Sequence, residues 1–153
     1  GGRCDEYEKR AAYVLESGDF NVFHVMVDLS GGPCVWKRMA GCGAGTEYMA
    51  VTPEGDLYPC HQFVGIDGFK TGDVFSGISN REIGKAFDGC NVYAKEYCKN
   101  CWAKFYCSGG CAANAYNANG DILKPYEIGC ILPRKRTECA IMMKVSANVK
   151  MDS

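Results

Sequence analysis

Residues 5–17 set Tyr7, Ala11, Val14 and Leu15 on one face, a helical spacing that Gly18 would stop. From Phe20 to Leu29 the period shortens to two, with Phe23, Val25, Val27 and Leu29 on one side of a predicted strand. His24 lies on its other side beside Met26 and Asp28, and a lone histidine there reads as structural. Ser30-Gly31-Gly32-Pro33 ends the strand and delivers Cys34. Between Cys34 and Gly45 there is no clear period and several glycines, the pattern of a chain wrapping around something. Tyr48 to Thr52 alternates weakly, Pro53-Glu54-Gly55-Asp56 turns, and Leu57-Tyr58-Pro59-Cys60 returns. That is a β-hairpin with Cys60 near its end.

Gln62 to Gly77 is rich in Gly, Asp and Phe and reads as loop with short extended pieces. Ser79 followed by Glu82 forms a capping box that predicts a helix through about Phe87, with Cys90 after it. Asn91 to Tyr97 predicts another helical turn or two. A helix is expected to start at Cys111, its amides favouring negative charge on whatever that thiolate ligates. Asn119-Gly120 is a turn. Pro133 is expected to open a last helix, with Cys139, Ala140, Met142 and Met143 on its buried side. The methionines read as core.

Composition changes this picture at one point. The 153 residues are 47% hydrophobic and 23% charged, ordinary for one globular domain with a moderate core, and nineteen glycines suit many turns. A net charge of -1 gives no reason to expect nucleic acid or an anionic membrane as partner, and Pro133-Arg134-Lys135-Arg136 reads as a solvated face. Eleven cysteines are the deviation. The number is odd, no secretory signal or bilayer-length apolar run accompanies it, and a reducing, cytoplasmic setting with metal-bound thiolates is expected over disulfides.

Spacing sharpens that expectation. Cys98-x2-Cys101-x5-Cys107-x3-Cys111, followed by Cys130, places five cysteines in 33 residues, one more than a four-ligand site takes. With Cys34, Cys42 and Cys60 there are eight, enough for two four-thiolate sites, leaving Cys4, Cys90 and Cys139 over. In two-cluster ferredoxins the fourth cysteine of a run serves the other cluster. By that analogy Cys98, Cys101 and Cys107 share one site, completed by Cys130, while Cys111 reaches another.

Cys42-x12-Gly55-x4-Cys60, then the Cys98–Cys111 run, then Cys130, resembles the SPASM domain, the auxiliary-cluster module of radical S-adenosylmethionine enzymes that modify ribosomally made peptides. The flanks Asp28-Leu29-Ser30-Gly31-Gly32-Pro33-Cys34 and Tyr58-Pro59-Cys60-His61-Gln62-Phe63 resemble the subgroup that forms Cys–Thr thioethers, sactipeptide-type links, in SCIFF peptides. The resemblance implies two [4Fe-4S] clusters. Cys98, Cys101, Cys107 and Cys130 would ligate an outer one, and Cys42, Cys60 and Cys111 an inner one facing a catalytic barrel. Cys34 could complete the inner site, or that iron could stay open for a cysteine of the precursor peptide. Gly55 would bring Cys60 back, and it is equally a plain hairpin glycine.

One departure limits the likeness. The family's Cys-x3-Cys-x2-Cys motif, which binds the cluster that cleaves S-adenosylmethionine, is missing: after Cys107 and Cys111 the third position is Asn114. The expectation is therefore an excised domain that is not an active enzyme alone, with S-adenosylmethionine and the barrel belonging to a longer parent chain; the abrupt Gly1-Gly2-Arg3 start is compatible with this. The expected fold is α+β, a hairpin and short helices organised by two cluster sites. Residues 1–33 would link to the barrel and 34–153 would form the auxiliary-cluster domain with its C-terminal helix. The alternative is a zinc-stabilised binding module, in which His61 could be a ligand or donate to one; a disulfide scaffold ranks last.

Overall fold

The computed structural model describes residues 2–17, 27, 29 and 35–151. The predicted strand from Phe20 to Leu29, His24 and Cys34 lie outside the described residues. Among those described, seven helices and a small four-stranded antiparallel sheet make an α+β fold. They belong to two compact units, Gly1–Cys34 with Glu127–Ser153, and Val35–Tyr126. The C-terminal helix is thus grouped with the N-terminal one, and the cysteine-rich middle of the chain stands as a unit of its own.

In the first unit, α1 (Gly2–Ser17) and α7 (Glu127–Met151) pack through Ala11 and Cys139, both buried, with Tyr7 and Met143 alongside. Lys135 bridges Glu8 at 2.6 Å and Glu138 at 3.2 Å, and the hydrogen bond to Glu8 holds its ammonium above the usual lysine range. Two expectations for α7 need correction. Pro133 does not open the helix but sits inside it, six residues after its start at Glu127. The proline ring removes the amide that would have bonded the Gly129 carbonyl. Side chains support the turns on either side: Arg134 Nε donates to the Cys130 carbonyl at 3.0 Å and Thr137 Oγ1 to the Pro133 carbonyl at 2.9 Å. Met142 is also exposed, whereas Cys139 and Ala140 are buried.

The second unit opens with α2 (Val35–Ala40), a six-residue helix where no period was legible. Fewer than two turns leave no repeat to read. The hairpin forms as expected: β1 (Ala50–Val51) pairs with β2 (Asp56–Tyr58) in the register Ala50↔Tyr58, and β3 (Gly72–Asp73) and β4 (Gly77–Ile78) extend the sheet in order. Gly55 turns it at φ +92°, donating its amide to the Thr52 carbonyl; a Cβ there would lie 2.9 Å from Val74.

Helix α3 (Arg81–Asp88) follows, capped by Asn80 rather than Ser79. The Asn80 side chain accepts from the Glu82 amide at 3.2 Å, while the amide and hydroxyl of Ser79 both go to the Thr71 carbonyl. Glu82 turns away from the cap to Lys85. Asn80→Ala is therefore expected to lower stability by about 1 kcal/mol, read as a fall in the urea midpoint, with Ser79→Ala costing less. A reversed order would return the cap to Ser79.

The chain continues through α4 (Glu96–Lys99), α5 (Lys104–Cys107) and α6 (Ala112–Asn119), the last ended by Gly120 at φ +71°. Asn91 to Tyr97, expected to be helical, is turn until Glu96. The unit closes on Phe63, fully buried after a 3-10 turn (His61–Phe63), with Cys60, Ile83, Phe87 and Ala113 around it. Its ring lies 4.3 Å from Phe69, edge-on at 5.3 Å to Phe87 and 5.7 Å from Tyr116. One aromatic cluster thereby joins the segment after Cys60 to the helix after Cys111.

Candidate metal centre

Cys42 stands exposed in the loop after α2. That loop is tightened by Thr46 and Glu47 donating to the Gly43 carbonyl, and the Gly45 amide is placed at 2.9 Å from the Pro59 carbonyl. Two remote segments, one ending near Cys42 and one at Cys60, are tied together by that last contact. Tyr48, in the same loop, donates its hydroxyl to the Cys42 sulfur at 3.6 Å. From the far side, Gln62 Nε2 reaches the Cys111 sulfur at 3.7 Å, a contact across 49 positions of sequence. Cys111 is the N-cap of α6, its carbonyl accepting the Ala115 amide at 3.0 Å.

One phenol thus meets the Cys42 sulfur directly, on the side of the unit that also carries Cys60 and Cys111. The Tyr48 hydroxyl is pushed up to about 12, first by its hydrogen bond to the Cys42 sulfur, then by burial and by the charges of Cys42, Cys60 and Cys111. At neutral pH Tyr48 is therefore a neutral hydroxyl donor facing sulfur, the role of a group that would stabilise sulfur-borne negative charge. Neither Tyr48 nor Gln62 was legible as part of a site. Tyr48 read as a strand residue, and Gln62 meets Cys111 only after the chain has closed on itself.

The second array is local. Cys98 is buried on α4, Cys101 is half-buried one turn later with its amide donating to the Cys98 carbonyl at 3.1 Å, and half-buried Cys107 ends α5. Ser108, at φ +55°, and the glycines after it turn the chain from Cys107 into Cys111. Cys130 is half-buried on α7, in the other unit. Of the remaining thiols, Cys90 is buried and directed at the Ile122 carbonyl, 3.4 Å away; burial pushes its thiol up and Lys95 pulls it back. Cys139 belongs to the α1–α7 core, and Cys4 lies within α1, not before it. His61 is exposed on the turn after Cys60.

Among the described residues, Cys42, Cys60, Cys90, Cys101 and Cys111 carry no disulfide, and no three His, Cys, Asp or Glu side chains crowd closely enough to grip a single metal ion. Two of the thiols are each met by a neutral donor, the Cys42 sulfur by the Tyr48 phenol and the Cys111 sulfur by the Gln62 carboxamide. Such a set fits soft metals and iron–sulfur clusters, whose properties depend on hydrogen bonds to the sulfurs.

Residues 42–102 match SPASM, an iron-sulfur cluster-binding domain. The match takes in Cys42, Cys60, Cys98 and Cys101 and ends before Cys107. It implies cluster binding for the segment that forms the hairpin and the start of the cysteine array. A protein of Archaeoglobus fulgidus described only as uncharacterized is 32% identical over 92 residues, covering 56% of this chain and 21% of that protein. The chain therefore spans about a fifth of the length of that relative. No helix among the described residues is long and apolar enough to cross a membrane.

Proposed function

We propose that the chain is an auxiliary-cluster domain holding two [4Fe-4S] clusters within a radical S-adenosylmethionine enzyme that forms thioether cross-links in a ribosomally made peptide. The observation carrying the cluster reading is that Cys42, Cys60, Cys98 and Cys101 lie in a segment similar to an iron–sulfur domain, with Tyr48 donating to the Cys42 sulfur and Gln62 to the Cys111 sulfur. The narrower reading, thioether formation of the SCIFF kind on a cysteine-containing precursor peptide, rests on the flanks of Cys34 and Cys60 described above.

In this reading Cys42, Cys60 and Cys111 hold the inner cluster and Cys98, Cys101 and Cys107 the outer one, with Cys130 its fourth ligand on the sequence pattern. A cluster with one open iron supplies a place to bind a substrate thiol and lower its pKa. Tyr48 and Gln62 donate to the flanking sulfurs and hold them in place, and Phe63 keeps the hairpin and α6 in register. Cys34 is either the fourth inner ligand or the residue that leaves this position to the peptide. Catalysis belongs to the barrel of the parent chain, in the cytoplasm.

Anaerobic reconstitution of the chain with iron and sulfide tests this. The expected result is brown protein with about eight irons. Colourless protein that retains stoichiometric zinc after the same treatment would overturn the reading in favour of a zinc-stabilised module.

A further inference from the structure

Lys95 is 2% exposed, one of the most completely buried side chains in its unit. Lysine is almost never buried to this degree unless paired, because removing an ammonium from water is costly. Its Nζ donates to the Gly109 carbonyl at 2.8 Å and reaches the Cys90 thiol. Among the described residues no carboxylate forms an ion pair with it. Asp88 shares a wall of the same small cavity but is itself exposed.

That cavity, about 40 Å³, is walled by Lys95 together with Cys42, Cys90, Gly110 and Ala112. It lies between the Cys42 loop and the residues on either side of Cys111, with Cys42 itself in its wall. Gly109 makes room for the ammonium: at φ +78°, a Cβ there would stand 3.3 Å from Lys95 Nζ. The loop from Cys107 to Cys111 is thus folded onto a buried positive charge. Carbonyl and thiol dipoles alone compensate an ammonium poorly; a nearby anion would do so well.

We propose that Lys95 is the buried counter-charge of the cluster held by Cys42, Cys60 and Cys111, a positioning and tuning residue that does not ligate iron. The inference rests on the proposed cluster reading. Cluster and thiolates together carry net negative charge, which grows when one electron arrives from an external reductant. An ammonium in a low-dielectric wall favours the more negative state, so it raises the reduction potential and strengthens cluster binding.

Lys95→Met keeps most of the length of the side chain, an unbranched stem one atom shorter, and removes its charge. In apo protein the substitution should leave thermal stability unchanged or raised, since the cation has no full counter-charge there. After reconstitution, dithionite titration followed by EPR should show the reduction equilibrium of the inner cluster weakened at least tenfold, about 59 mV for one electron. The shift should be largest for the signal that Cys42→Ser removes. An unchanged midpoint overturns the inference and leaves the cluster reading standing. An apo Lys95→Met protein that fails to fold also overturns it, because the ammonium would then serve the fold by itself. Wild-type protein that takes up no cluster overturns both.

Discussion

Replacing Phe63 by alanine is expected to cost the cysteine-bearing unit about 4 kcal/mol, the scale for truncating a buried phenylalanine in a close-packed core. Phe63 is fully buried and touches Phe69, Phe87 and Tyr116, so neighbours held by α3 and α6 cannot easily collapse into the space it leaves. The consequence should extend beyond stability. Phe63 is three residues after Cys60, and Tyr116 lies on the helix that Cys111 caps, so this ring joins the two segments that carry those thiols. Urea denaturation of apo protein should show the loss, and the folded fraction should take up fewer irons on reconstitution. A loss below about 1 kcal/mol would mean the core is looser than its ring contacts indicate. A large loss with full iron content would separate the core from the site.

Cysteine substitutions should sort into two groups by the cluster they remove. Cys42→Ala, Cys60→Ala and Cys111→Ala are each expected to lower iron from about eight to about four per chain, and to abolish the same EPR signal. Cys98→Ala, Cys101→Ala and Cys107→Ala should remove the other signal, with Cys130→Ala in their company. Metal binding of this kind is folding free energy, so Cys98→Ala or Cys101→Ala should also destabilise the loaded protein steeply. Pairing one member of each group should abolish both signals, whereas two members of one group should lose little more than one. The informative variant is Cys111→Ala. In sequence Cys111 adjoins Cys107, a member of the other group, yet its sulfur is served by Gln62, next to the hairpin. If its loss removed the Cys101 signal, the division of ligands would be wrong. Cys34→Ala should lose less iron than Cys42→Ala if the inner iron is open to substrate, and equal losses would make Cys34 a ligand.

Much of the local structure was legible because it depends on neighbours in sequence. The amphipathic spacing of residues 5–17 became α1, the turn at Pro53–Asp56 became a hairpin, and the small residues after Cys111 became α6. Where the reading failed, two local rules competed or a long-range contact intervened. Ser79 and Asn80 are both good caps, and Ser79 lost because the Thr71 carbonyl claims it. Pro133 is a favourable first residue of a helix, but α7 begins earlier and its packing against α1 outweighs one missing backbone hydrogen bond. Helix α2 was too short to show a period, and Met142 lies just off the face that Cys139 and Ala140 bury.

The candidate site divides in the same way. Residue type and spacing alone determined that this is a cysteine-rich chain with a local array from Cys98 to Cys111, since close spacing brings sulfurs together whatever the rest of the chain does. Only the tertiary structure decided what surrounds them: Tyr48 on the Cys42 sulfur, Gln62 on the Cys111 sulfur across 49 positions, and Lys95 buried against the Gly109 carbonyl. No local pattern encodes these contacts. They follow from closing the hairpin and α6 over Phe63, whose burial supplies the free energy that holds distant segments, and the groups they carry, at hydrogen-bonding distance.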